Sequence, residues 1–123
     1  MSYFMPNLGM RATREHWKQL VPLPLARKSL AVRRTFSPRE LETLRDGFIP
    51  RDMDDRWLMF MEGDWLYIHR SWSGIGIYQV RISGNAIAEA WVNREPTLYA
   101  ETDDESDSET LLSLLNEFAG GGG

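Results

Sequence analysis

The way the apolar runs are interrupted between Arg56 and Val92 limits what this chain can fold into more than any other feature. The stretch reads Arg-Trp-Leu-Met-Phe-Met-Glu-Gly-Asp-Trp-Leu-Tyr-Ile-His-Arg-Ser-Trp-Ser-Gly-Ile-Gly-Ile-Tyr-Gln-Val-Arg-Ile-Ser-Gly-Asn-Ala-Ile-Ala-Glu-Ala-Trp-Val, with four of the five tryptophans, Trp57, Trp65, Trp72 and Trp91. Glu-Gly-Asp, Ser-Gly and Ser-Gly-Asn cut it at short intervals. Glycine and asparagine tolerate the backbone of tight turns, and aromatic and β-branched residues favour strands, so consecutive hairpins are predicted. The expected strands are Arg56–Met61, Asp64–Trp72, Ile75–Ile82 and Ala86–Val92.

Helices flank this meander. In Ser37-Pro38-Arg39-Glu40, the serine can cap the third N–H of a helix and the glutamate can reach back. The proline stands where its missing N–H does no harm. Leu41, Leu44 and Phe48 follow at helical spacing, and Gly47 is a plausible stop. Leu30–Thr35 alternates partly and is read as an edge strand, its arginines discouraging pairing with another chain. Glu101–Asp107 is acidic and reads as a solvated loop. Ser108 then caps a final helix with an apolar face of Leu111, Leu112, Leu114, Leu115 and Phe118. The expected fold is α+β, an antiparallel meander of four to five strands with two helices on one face. Residues 29–118 form its single domain. Residues 1–28 are read as an N-terminal arm in which Arg11–Leu20 can form a short helix, and residues 119–123 as a flexible glycine tail.

Composition narrows the chemistry. The chain of 123 residues is of single-domain length and can bury about two thirds of its unfolded surface. It has no cysteine, which removes disulfides, thiol nucleophiles, iron–sulfur clusters and Cys-ligated zinc. The two histidines, His16 and His69, are too far apart in sequence to suggest a zinc motif, and the acidic run lacks the glycine of a calcium loop. No metal and no cofactor are expected. A net charge of −4 argues against general nucleic-acid binding, although a local basic surface over residues 27–51 keeps it as a third reading. No apolar run is of membrane-spanning length and no signal peptide is evident, so a cytoplasmic protein without membrane attachment is expected.

The candidate site lies in the second strand of the meander. Alternation points Trp65, Tyr67 and His69 one way and Leu66, Ile68, Arg70 and Trp72 the other. Aromatic rings beside an arginine can stack a flat ligand and hold a phosphate or carboxylate, and the same residues dominate protein interfaces. The competing structural reading has Arg70 paired to Asp64 or Glu89, and His69 as a hydrogen-bonded structural residue. Neither a nucleophile elbow nor a phosphate-binding loop is present.

The run Trp65-Leu66-Tyr67-Ile68-His69-Arg70-Ser71-Trp72-Ser73-Gly74, followed by Ile77-Tyr78, resembles a group of small uncharacterised bacterial proteins. They share an aromatic hairpin ending in His-Arg-Ser-Trp-Thr-Gly; Ser73 stands here where threonine is usual. The resemblance spans roughly residues 37–118 and implies no activity. The expectation is a non-catalytic binding module using Trp65, Tyr67, His69, Arg70 and Trp72 to hold a protein partner or a small anionic or aromatic ligand. The alternative is a small enzyme or sensor for a nucleotide or phosphosugar, with Arg70 on the phosphate and His69 as acid or base.

Overall fold

The computed structural model describes residues 11–17, 19–51 and 55–120. The first ten residues of the arm and the last three glycines of the tail lie outside them. The elements are β1 (Arg27–Ser29), α1 (Pro38–Asp46), β2 (Trp57–Glu62), β3 (Trp65–Arg70), β4 (Gly76–Ser83), β5 (Ala86–Asn93) and α2 (Asp104–Ala119). They build an α+β fold around one five-stranded antiparallel sheet in the order β1-β5-β4-β3-β2. Gly63 and Gly84, at φ 61° and 63°, supply the turns that close the β2–β3 and β4–β5 hairpins.

The capped helix forms as its sequence requires. Ser37 Oγ accepts from the Glu40 N–H at 3.1 Å, and Glu40 Oε1 accepts from the Ser37 N–H at 2.9 Å. Gly47, at φ 70°, lets the chain turn from α1 directly into an antiparallel bridge between Phe48 and Met59. A Cβ there would stand 2.4 Å from the Met59 carbonyl oxygen. Both helices share one apolar core with the sheet. Leu44 and Phe48 meet Leu111, Leu115 and Phe118 over Met59, Leu66, Ile68, Val80 and Val92. A bulge beside Ile68 and His69 turns Ile77 into that core together with Tyr78. Among the described residues no helix is long and apolar enough to cross a membrane.

Two expectations are corrected. The edge strand is not Leu30–Thr35 but Arg27–Ser29. Beyond it the chain keeps beside β5 only through single contacts, Leu30 N–H to Ala90, Ile87 N–H to Arg34, and a Thr35–Ala86 bridge. The shift in register that skips Ala88 in β5 breaks the even row of partners that a longer ladder would need.

The acidic run is also not a solvated loop. Asp103 caps α2, accepting from the Glu105 N–H at 3.2 Å, and Asp104, Glu105 and Asp107 form its first turn. Carboxylates there oppose the positive end of the helix dipole. Asp107 itself is buried. Its Oδ1 accepts from the hydroxyls of Tyr78 at 2.7 Å and Tyr99 at 2.6 Å. Arg94 Nη1 stands 2.7 Å from Oδ2, a charge contact without an aligned hydrogen bond. This cluster clamps the start of α2 to β4 and to the segment after β5. Asp107→Ala leaves the Tyr78 and Tyr99 hydroxyls without their acceptor and takes from Arg94 one of its two carboxylates, Asp104 remaining at 2.7 Å, and is expected to cost about 2–4 kcal/mol. Tyr78→Phe removes one hydrogen bond to a carboxylate and is expected to cost about 1.5–3 kcal/mol. Urea unfolding of both variants measures these losses; a loss below about 1 kcal/mol for Asp107→Ala would show that the clamp does not hold the fold.

Candidate functional site

The turn joining β3 to β4 is built largely by the residues of the aromatic motif itself. The Gly74 N–H donates to the Arg70 carbonyl at 2.8 Å, the Arg70 N–H to the Ile75 carbonyl at 2.9 Å, and the Ile75 N–H to Ser73 Oγ at 3.2 Å. His69 Nδ1 lies 2.8 Å from the Gly74 carbonyl oxygen. A carbonyl only accepts, so Nδ1 carries the proton. Ser71 is buried, its Oγ donating to the Asp55 carbonyl at 2.6 Å and its N–H to the Arg56 carbonyl at 2.8 Å. His69, Ser71 and Gly74 therefore hold the turn, and Arg70, Trp72 and Ser73 are exposed on it.

The β2–β3 side of the sheet's second face is covered as well. Residues 11–17 and 19–23 cross it as a strap, with one 3-10 turn at Arg14–His16 where the sequence allowed a longer helix. Ala12 packs on Leu58 and Phe60, with Trp17, Leu20 and Tyr67 beside them. The strap is tied by the Val21 N–H to the Gly74 carbonyl and by the Gly76 N–H to the Val21 carbonyl, both 2.8 Å. The Arg14 fork grips both oxygens of Glu62 at 2.6 Å. Gly76 needs no left-handed backbone; what it allows is approach. A Cβ there would stand 3.0 Å from the Val21 carbonyl oxygen and 3.2 Å from His69 Cε1.

These two devices separate the five residues singled out from the sequence. Tyr67 and His69 lie under or beside the strap, both stacked on Phe60 at 5.2 and 5.6 Å between ring centres. His69 is 4% exposed and borders a cavity of 90 Å³ with Arg14, Leu20, Pro22, Phe60, Tyr67 and Gln79. Trp65 stands half-buried at the opposite end of β3, between Glu62 and Arg81 in the ladder. Arg70 and Trp72 remain together. They line one cavity of 340 Å³ with Arg56 and Ser73. Arg70 also borders a cavity of 550 Å³ with Ser73, Ile77, Leu98, Tyr99 and Glu101. Trp72, 72% exposed, also lines a cavity of 440 Å³ with His16, Trp17, Gln19 and Ser73.

Arg70 does not pair with Asp64 or Glu89, which Arg81 takes at 3.9 and 2.7 Å. Its guanidinium lies over the rings of Trp57 at 5.1 Å and Tyr99 at 5.9 Å, with no carboxylate partner among the described residues. Glu101, on the same rim, turns its carboxylate to the N–H groups of Thr102 and Asp103. Burial and the bond to Asp107 push the Tyr99 phenol up to about 12, so at neutral pH it stays a donor and its ring is held in place. Arg56, Ser73, Tyr99 and Trp17 were not singled out from the sequence. Ser73 sits in the motif, and the β2–β3 hairpin brings the start of β2 to Arg70, but Trp17 and Tyr99 carry no local signal. Among the described residues no three His, Asp or Glu side chains gather as metal ligands would. Comparison with protein families, with curated proteins and with solved structures finds no match.

Gly76→Ala is expected to loosen the strap, with faster trypsin cleavage after Arg14 and a stability loss of about 1–3 kcal/mol; unchanged cleavage would show that close approach is not what the glycine serves. Burial, and then the nearby Arg14 charge, hold the His69 imidazole below its ordinary pKa against the opposing bond to Gly74. The unfolded chain then binds more protons than the folded one below about pH 6.5. Stability from this group is present above that pH and is lost as pH falls through the window beneath it. Unfolding midpoints from pH 7.5 to 5 are expected to fall more steeply in the wild type than in His69→Gln.

Proposed function

We propose that this protein is a non-catalytic binding module of the cytoplasm that grips an acidic segment of a partner protein. Arg56, Arg70, Trp72 and Ser73 at the β3–β4 tip form the gripping surface. The reading is carried by one observation: a tryptophan 72% exposed stands beside an arginine without a carboxylate partner among the described residues, on a turn whose backbone is pinned from both sides. An arginine fork matches a carboxylate in two parallel hydrogen bonds, and exposed Trp and Arg are the side chains that carry most interface energy. Stacking on Trp57 and Tyr99 preorganises Arg70 and reduces the ordering cost of binding.

Other features agree. Ser71 Oγ is spent on the Asp55 carbonyl and is not poised as a nucleophile, and His69 is buried with its Nδ1 spent on the turn. Arg34, Arg45 and Arg51, in the basic region, pair with Glu40, Glu42 and Asp55, which weakens the nucleic-acid reading. The absence of cysteine suits a reducing compartment. A second reading, a small anionic ligand such as a nucleotide or phosphosugar, draws on the 550 Å³ cavity at Arg70, which falls within the usual volume of ligand pockets.

Fluorescence anisotropy with a labelled peptide rich in aspartate and glutamate tests the proposal. Salt-sensitive binding is expected, with Arg70→Ala and Trp72→Ala each weakening it by about 30-fold and Trp65→Ala leaving it unchanged. Equal binding by a folded Arg70→Ala, Trp72→Ala double variant would overturn it. Displacement of the peptide by a nucleotide or phosphosugar would favour the second reading.

A further inference from the structure

We infer that the acidic segment held at this tip presents an aromatic side chain beside its carboxylate, and that the N-terminal strap supplies one wall of the slot for that ring. The inference rests on the binding reading above and names the kind of partner it fits. Its basis is the position of Trp72 between two differently lined spaces. On one side the 340 Å³ cavity is cationic, with Arg56 and Arg70. On the other the 440 Å³ cavity is flanked by Trp17 and Trp72, with His16 and Gln19 as polar edges.

The slot is built and not incidental. Trp17 is partly buried and packed against the Ala12, Leu58 and Phe60 cluster. The strap that carries it is tied to Gly74 and Gly76, the residues that follow Trp72 and Ser73. The two walls therefore come from segments hydrogen-bonded to each other, and their separation is set by backbone contacts. Flat rings are the side chains that gain most from a pair of indoles, through stacked or edge-to-face contact. A lysine or arginine could also stack on tryptophan, but Arg56 and Arg70 across Trp72 repel a second cation. The pairing that suits both spaces at once is a neutral ring adjacent to a carboxylate.

The test is an amide NMR titration of the full chain with three capped hexapeptides, one with acidic residues alone, one with an acidic residue next to phenylalanine, and one with leucine in place of phenylalanine. The acid–phenylalanine peptide is expected to bind about fivefold or more tighter than the other two. Trp17→Leu, which keeps apolar packing but removes the flat ring, is expected to abolish that preference and leave the acid-only affinity unchanged. Acid-only and acid–phenylalanine peptides binding alike, or a preference that survives Trp17→Leu, would overturn the slot while the arginine reading stands. No binding by any of the three would overturn the underlying reading and the slot with it.

Discussion

One carbonyl oxygen organises this molecule. Gly74 C=O accepts the His69 Nδ1–H from within its own hairpin and the Val21 N–H from the strap, each at 2.8 Å. The first bond closes the turn after β3; the second fastens the segment that covers the β2–β3 side of the sheet's other face. Removing the oxygen's partners would free both at once. Gly74 itself must be glycine for two reasons, its φ of 75° and the Gln19 carbonyl oxygen 1.6 Å from where a Cβ would be. Rigidity at the tip follows from this crossing of local and long-range contacts, and a rigid tip can display Arg70 and Trp72 at low entropic cost.

The opposite face obeys a different constraint. There a buried carboxylate, Asp107, joins α2 to the tyrosines of β4 and of the loop after β5, with Arg94 beside it. A buried charge is tolerated only when its partners are supplied, and here they come from two separate stretches of chain, β4 and the segment after β5. The link reaches the tip through Tyr99, whose hydroxyl serves Asp107 while its ring lies under Arg70. The packing of α2 and the posture of Arg70 thus share a residue.

Much of the architecture could be read from residues acting over short range. The Ser37 cap, the Gly63 and Gly84 turns and the alternation of Leu66 and Ile68 need only neighbouring atoms to be understood, and each leads to the right element. What escaped reading depends on segments distant in sequence. Alternation put Trp65, Tyr67 and His69 on one face but says nothing of what covers it, and the strap comes from fifty residues upstream. Asp107 looked like one more solvated acid because its tyrosines lie elsewhere in the chain. One signal was present and went unused: a turn requires one glycine of positive φ, so the second glycine of Gly74-Ile75-Gly76, inside a strand, marked the close passage of another backbone.

The measurement that addresses the crossing at Gly74 most directly is nitrogen NMR of the His69 imidazole in the intact protein at neutral pH. The expected result is a neutral ring protonated at Nδ1, with a scalar coupling across the hydrogen bond to the Gly74 carbonyl that disappears as the protein unfolds. A ring protonated at Nε2, or an imidazolium in free exchange with solvent, would contradict it, because neither a fixed turn nor a sealed strap is compatible with that state.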